Sequence, residues 1–344
     1  MKILFAIQGT GNGHLSRARD IYPELVKYGE VDVLISGIQA DVTFPFPVKY
    51  RLYGLSFIFG KSGGVDILQT AKRLNLVRLL KDIWKFPVSD YDLIINDFEP
   101  VSAWACKLRK VRCISLSHQS AVLHKNAPKP FHNDWIGRTV LKHYAPVNDA
   151  YGFHFKNYGT GIYTPVIRKE IREQISTDHG HYTVYLPAYD DATILKHLSN
   201  FENVKWQVFS KHNTQPFVEK NVSIRPIENN AFIKSMASST GVLCGAGFEG
   251  PAEALFLGKK LMVIPMEGQY EQQCNAAALE DLGVPVIRSL DKRFYNQITE
   301  WLIIDKKIRV DYPDQTTMLI EKLIKEFGKQ ELKLTPLEAG LQKI

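Results

Sequence analysis

Two side chains in the first hundred residues have the chemistry of a general base and its support. His14 follows an apolar segment, residues 2–7, and lies at the end of a glycine loop, Gly9-Thr10-Gly11-Asn12-Gly13. An imidazole gains or loses a proton near neutral pH. A carboxylate behind it would orient the ring and favour its charged form. Asp97 can be that carboxylate, because it ends a second apolar run, residues 91–96. Both also have structural readings: His14 can close the turn, and Asp97 can cap the helix after Pro100, with Glu99 taking over the acidic role. Arg17 fits either an anionic ligand or a solvated helix face. His118 and Gln119, just past an apolar run at 111–116, could touch a substrate or be buried and internally satisfied.

A stretch in the second half could hold phosphate. Residues 242–244 are apolar and run into Gly245-Ala246-Gly247-Phe248-Glu249-Gly250, after which a helical pattern carries Glu253 at its start. Strand, glycine turn and helix together aim unpaired, positively polarised backbone N–H groups at an anion. A carboxylate at Glu249 repels a diphosphate unless it points away or meets a cation. A further strand, 260–265, ends on proline and opens into a polar run, 267–273, ahead of an Ala-rich helix closed by Gly283. That order fits the carboxyl edge of a parallel sheet, where α/β folds bind ligands.

Strand and helix patterns alternate in both halves, which predicts an α/β protein of two parallel-sheet domains facing a cleft. The expected boundaries are 1–162 and 163–329, with a linker at 163–168 and a tail at 330–344. Residues 44–66 read as short strands and an apolar loop. A helix over 70–86 carries Leu74, Val77, Leu80, Ile83 and Trp84 at helical spacing, together with Lys72, Arg73, Arg78, Lys81 and Lys85. Such a helix can lie on anionic lipid or pack on the sheet with its charges in water.

The 344 residues carry a formal charge of +7, which favours nucleotides, anionic lipids or acidic glycans as partners. No recognised nucleic-acid module is present, so no nucleic acid is expected. The first glycine loop is not GxGxxG, and no acidic residue ends the second strand, which excludes a nicotinamide reading. Cys106, Cys113, Cys244 and Cys274 lack paired metal-ligand spacing and read as buried thiols in a reducing compartment. Residues 2–7 are too short for a signal peptide, and no apolar run reaches membrane-spanning length. The expectation is a cytoplasmic chain, with contact to the inner face of a membrane left open.

Gly247, Glu253, Gly258, Pro265 and the run Glu271-Gln272-Gln273-Cys274-Asn275-Ala276 resemble the donor-nucleotide motif of GT-B glycosyltransferases, which ends in an acid-Gln-x-x-Asn-Ala box. Gly13-His14 is similar to the Gly-His of UDP-dependent transferases, and Asp97 falls where they keep the paired acid. Gly11 to Ala18 and Asp97 to Pro100 also resemble a group of bacterial glycosyltransferase-like proteins. The resemblance implies two Rossmann-like domains, the second binding a nucleotide sugar linked to UDP. It implies that Glu253 holds the ribose and that amides of the turn formed by Gly245, Ala246, Gly247, Phe248, Glu249 and Gly250 take the pyrophosphate, with Gly11 and Gly13 beside them. Glu271, Gln272 and Asn275 would face the sugar. His14 would be the base, backed by Asp97, and Arg17, Glu99, His118 and Gln119 would line the acceptor side. Inverting transfer without a metal or other cofactor is implied, and the absence of an Asp-x-Asp motif accords with it. Three positions depart from the pattern: Gly245 replaces a histidine, Arg17 a proline, and Glu249 a neutral residue. The alternatives are a UDP-sugar 2-epimerase or hydrolase of the same fold, or a non-catalytic nucleotide-sugar-binding protein. The acceptor can be a lipid carrier, a glycan or a small molecule.

Overall fold

The computed structural model describes residues 1–37, 44–54, 75–130 and 134–328. The first sheet is built from β1 (Lys2–Gln8), β2 (Glu30–Ser36), β3 (Tyr50–Leu52), β4 (Leu93–Asp97), β5 (Ile114–Leu116), β6 (Asp149–Phe153) and β7 (Ile162–Tyr163). Their spatial order is β3-β2-β1-β4-β5-β6-β7, and every pair is parallel. β1 is apolar from Ile3 to Ile7 because it is covered on both faces. The helices between these strands are α1 (Asn12–Leu25), α2 (Leu76–Lys85), α3 (Pro100–Arg109), α4 (His118–Val122) and α5 (Trp135–Tyr144). Leu79 and Ile83 of α2 and Val101 and Ala105 of α3 cover one face of the sheet, packed with Leu4, Ala6 and Ile94.

β1 lies between β2 and β4, so the chain winds away from it in both directions. Loops past the carboxyl ends of β1 and β4 therefore diverge and leave a crevice. The register sets Asp97 beside Ile7, one strand away from the loop that carries His14.

The second sheet contains β8 (His181–Tyr185), β9 (Lys205–Ser210), β10 (Phe217–Glu219), β11 (Val222–Pro226), β12 (Gly241–Gly245) and β13 (Lys260–Ile264), in the order β10-β11-β9-β8-β12-β13. Only β10 runs antiparallel to its neighbour. The helices that follow β7 in the chain are α6 (Lys169–Arg172), α7 (Asp191–Leu198), α8 (Asn229–Ser238), α9 (Glu249–Phe256), α10 (Tyr270–Asp281), α11 (Tyr295–Ile303) and α12 (Thr316–Phe327). Ile3, Phe5 and Ile7 of the first half and Val242, Cys244 and Phe248 of the second belong to one contiguous apolar cluster. The two halves thus meet along a packed seam.

Several elements differ from the sequence expectation. α9 begins at Glu249, so Glu253 sits a full turn inside it rather than at its start. α10 begins at Tyr270, which puts Glu271, Gln272 and Asn275 on a helix instead of a loop. α12 was expected to end the second domain. It packs instead on α1 of the first half, where Tyr151 donates to Glu326 at 2.9 Å. Local sequence reports that α12 is amphipathic, but which sheet its apolar stripe covers is decided by where the chain has travelled. The expected helix start at 70–74, most of the loop at 44–66 and the tail at 330–344 lie outside the described residues. All four cysteines are buried and unbridged.

Candidate active site

The carboxyl ends of the two sheets bring six of the eleven expected polar side chains, His14, Arg17, Asp97, Gln119, Glu249 and Glu271, into one hydrogen-bonded network. His14 Nδ1–H donates to Asp97 Oδ1 at 2.8 Å. That leaves the Nε2 lone pair pointing outward, the arrangement a base requires. Gln119, from α4, lies with its amide nitrogen 3.2 Å from this lone pair, and the same nitrogen donates to Glu271 Oε2 of α10 at 2.9 Å. Its own Oε1 is buried and has no hydrogen-bond partner among the described residues. A buried acceptor left unpaired costs about 1–3 kcal/mol, so this oxygen marks a place where a hydroxyl would be favoured.

Arg17 is not a solvated helix residue. It is 1% exposed, and its NH2 sits 2.7 Å from both oxygens of Asp97. Its NH1 crosses the seam to Glu249 Oε1 at the start of α9. Glu249 passes so close to the first glycine loop that a Cβ on Gly13 would collide with its carboxylate. A charge at the amino end of α9 is thereby paired through the opposite half of the protein.

These neighbours set the protonation of His14. Burial opposes a charge on His14, but the Asp97 carboxylate, by its charge and its hydrogen bond, prevails. With Glu249 adding to Asp97 and Arg17 working against both, the imidazole titrates above its ordinary range. Burial likewise opposes ionisation of Asp97, yet Arg17 and His14 hold its carboxyl below the usual carboxylate range.

Phe98 was not singled out from sequence. It adopts a left-handed backbone, φ 58°, a conformation that costs an L-residue about 1–2 kcal/mol. The turn places its ring parallel to His14, centroids 6.3 Å apart, and stacked on Tyr144 at 4.6 Å. Tyr144 accepts from Gln8 Nε2 at 2.8 Å. A positive φ at an aromatic residue leaves no mark in composition or periodicity, so no sequence signal could have found it.

Glu99 differs from the expectation that it lines the acceptor side. It is 0% exposed and is itself the cap of α3, accepting from the amides of Val101 and Ser102 at 2.7 Å each. Ser36 and Ser102 hydroxyls donate to the same carboxylate at 2.6 and 2.5 Å. No oxygen of Glu99 faces the seam, whereas Asp97, considered as a cap, is the one that does.

His118 also crosses the seam. Its Nδ1 lies 2.8 Å from the Phe153 carbonyl and its Nε2 2.7 Å from Asn275 Oδ1, the tautomer deciding which nitrogen donates. Asn275 in turn donates to the Ala246 carbonyl at 3.1 Å. The His118 ring stacks on Phe248 at 3.8 Å, and burial lowers its pKa below the ordinary imidazole range. Gln272 Oε1 accepts from the Met266 amide at 2.9 Å, which fixes the turn after β13.

Around α9 the glycines divide into two kinds. Gly258 is left-handed, φ 66°, and supplies the helix C-terminal turn that a side chain would strain. Gly247 and Gly250 have no positive φ, and a Cβ at either would touch nothing within 4 Å. Their lack of a side chain serves no packing need of the chain, as expected where a ligand approaches backbone amides. Gly245 is similarly roomy, its nearest neighbours 3.8 and 3.9 Å away. Gly11, φ 88°, is exposed and allows the sharp entry into α1. Glu253 is 3% exposed and paired with Arg168, whose Nε and NH2 donate to its two oxygens at 2.5 and 2.9 Å. Burial pushes the Glu253 carboxyl up, against the pull of that guanidinium. Arg168 closes the expected linker but carried no role in the sequence reading.

The sequence model described as glycosyl transferase family 1 matches residues 1–302. A protein of Methanosarcina mazei described as an uncharacterized glycosyltransferase is 24% identical over 330 residues, covering 82% of this chain and 84% of the relative. Among solved structures, spinosyn rhamnosyltransferase SpnG aligns with a TM-score of 0.55 at 11% identity, over 95% of this chain and 97% of that one. MurG of Acinetobacter baumannii aligns with a TM-score of 0.54 at 13% identity, over 94% and 99%. UGT89C1 of Arabidopsis thaliana, solved with UDP, gives 0.54 at 14% identity, over 95% and 96%. These likenesses establish the GT-B architecture of two Rossmann-like domains facing a cleft. By the match to most of its length, the chain belongs to glycosyl transferase family 1 and is a glycosyltransferase.

Proposed function

We propose that the chain moves a sugar from a UDP-linked donor to an acceptor hydroxyl, with inversion at the anomeric carbon and without a metal ion. One observation carries the reading. The outward-facing Nε2 lone pair of His14, backed by Asp97 and met by Gln119, lies within a hydrogen-bonded network of the amino end of α9, where Gly247 and Gly250 leave backbone amides approachable. The acceptor side and the donor side of a transfer reaction are thus joined through a single buried guanidinium.

In this mechanism the acceptor hydroxyl displaces Gln119 from His14 Nε2 and rests near Gln119 Oε1. His14 takes its proton as the oxygen attacks the anomeric carbon from the face opposite the diphosphate. A carbon–oxygen bond forms while the bond to the diphosphate breaks, and the leaving group carries the electron pair away. Amides at the start of α9, polarised by the helix, stabilise that charge. Arg17 exchanges Glu249 for the departing diphosphate, supplying positive charge without a divalent ion. Glu253, aimed by Arg168, accepts from the ribose hydroxyls. Glu271 and Gln272, on the first turn of α10, meet the sugar, while Asn275, buried between His118 and the Ala246 carbonyl, holds that helix against both halves. UDP is the nucleotide to try first because a structural neighbour was solved with it.

The experiment is a melting-temperature screen of UDP, GDP, TDP and their sugar conjugates, since a ligand that binds only the folded chain raises its stability. UDP is expected to raise the melting temperature of the native chain, and Glu253→Ala to remove that rise. A rise with another nucleotide alone would replace the donor assignment, and no rise with any would overturn the donor site.

A further inference from the structure

We propose that the face of the first domain formed by α2, α3 and α5 is a docking surface for an anionic lipid bilayer. The sequence pattern of α2 left its apolar stripe, with Val77, Leu80, Ile83 and Trp84, either lying on anionic lipid or packed on the sheet. The structure turns most of it outward. Leu79 and Ile83 are the side chains that α2 buries, while Val77, Leu80 and Trp84 are 78%, 63% and 74% exposed. An outward stripe at i, i+3 and i+7 has no packing partner among the described residues and loses free energy in water.

α2 does not stand alone. It packs against α3, and Arg109 of α3 donates to the carbonyls of Ile83 and Trp84. Trp104 of α3 donates to the Tyr144 carbonyl at the end of α5, 3.2 Å away. Gln8, which shares the sheet face of Leu4 and Ala6, holds the Tyr144 hydroxyl, so the carboxyl end of α5 reaches that face while the helix packs along α10. Leu108 of α3 and Trp135 and Ile136 of α5 are also more than half exposed. Half of the large apolar side chains exposed anywhere among the described residues lie on these three helices.

Charge identifies the occupant. Asp82 is the sole carboxylate within the three helices, and it lies 4.0 Å from Arg78. Lys81, Lys85, Lys107, Arg138 and Lys142 are exposed between the apolar side chains. Interleaved cations and large apolar residues match an interface in which the latter enter the acyl boundary and the former meet lipid phosphates. Among the described residues no helix is long and apolar enough to cross a membrane, so the contact is peripheral. If the transfer chemistry proposed above holds, the acceptor side opens toward the bilayer, because Tyr144 of α5 stacks on Phe98 beside His14. Docking itself does not depend on that chemistry.

The test is flotation of the full chain with vesicles of phosphatidylcholine alone or with about one-third phosphatidylglycerol, at low and high salt. The expected result is binding to the anionic vesicles that weakens as salt rises. Val77→Glu, Leu80→Glu and Trp84→Glu combined should weaken it at least about tenfold, with the UDP melting shift retained as proof of folding. Lys81→Gln with Lys85→Gln should cost about fivefold for each charge removed. No binding to anionic vesicles, unchanged binding in both variants, or a stable dimer that buries α2 would each overturn the proposal. Loss of UDP binding with vesicle binding intact would count against the donor assignment alone.

Discussion

Arg17 of α1 and Glu249 of α9 form an ion pair across the seam between the two halves, with Asp97 on the other edge of the same guanidinium. They are two of the positions at which the chain departs from the transferases it resembles. Each departure has a physical answer in the other. A carboxylate at the turn proposed to take the diphosphate is tolerable because a buried cation meets it, and the buried cation is tolerable because two carboxylates flank it.

Glu249→Gln is expected to tighten UDP binding about tenfold, or ~1.4 kcal/mol, by removing a negative charge beside the diphosphate. Arg17→Ala should instead weaken UDP binding and destabilise the fold by about 3–5 kcal/mol, because Asp97 is left buried without its guanidinium. Titration calorimetry with UDP and denaturant unfolding measure the two effects. Weaker binding in Glu249→Gln would show that its carboxylate assists the donor rather than resisting it.

The pH dependence follows from the His14–Asp97 pair. A base must be neutral to act, and the pKa of His14 is raised, so kcat/KM should climb with pH through a value above the ordinary imidazole range. Asp97→Asn removes the main cause of the rise and should move that limb to lower pH while cutting the rate about 10²–10⁴-fold. Stability has the matching signs. The His14 contribution is fully present below the unfolded pKa of the imidazole and is lost as pH rises through the folded one. That of Asp97, whose folded pKa is lowered, is present above the unfolded carboxyl pKa and is lost as pH falls through the folded value. NMR titration of the His14 ring checks the first; an imidazole that titrates below the ordinary range would contradict it.

Glu99→Ala is expected to act on the fold and not on the ligand. It strips the cap from α3 and leaves the Ser36 hydroxyl and two amides unpaired, a loss of about 2 kcal/mol or more. The melting temperature should fall, while UDP affinity of the folded fraction stays as in the native chain. Unchanged stability in Glu99→Ala would remove the capping role.

Much of the architecture was legible without coordinates. β1 and β12 are apolar runs that stop at glycines, and such runs must be buried strands whichever fold encloses them. The Gly-rich turns before α1 and α9 carry their own physics, since a helix start leaves donors unpaired wherever it occurs. His14 and Asp97 could be paired from sequence because each ends its loop or strand at the same edge of a parallel sheet.

What the amino-acid order determined by itself is therefore local: strand, turn, helix, and the chemical types placed at their ends. The partner of each charged side chain was decided only when the chain closed in space. Arg17 and Glu249 are separated by 232 positions, and Arg168 and Glu253 by 85, and nothing in their neighbours announces either pair. Glu99 and Asp97 stand two residues apart, yet one is consumed as a cap and the other faces the seam. The direction of the α2 stripe was settled in the same way. Periodicity shows that a helix has an apolar face, but only the packed sheet decides which of its side chains turn inward.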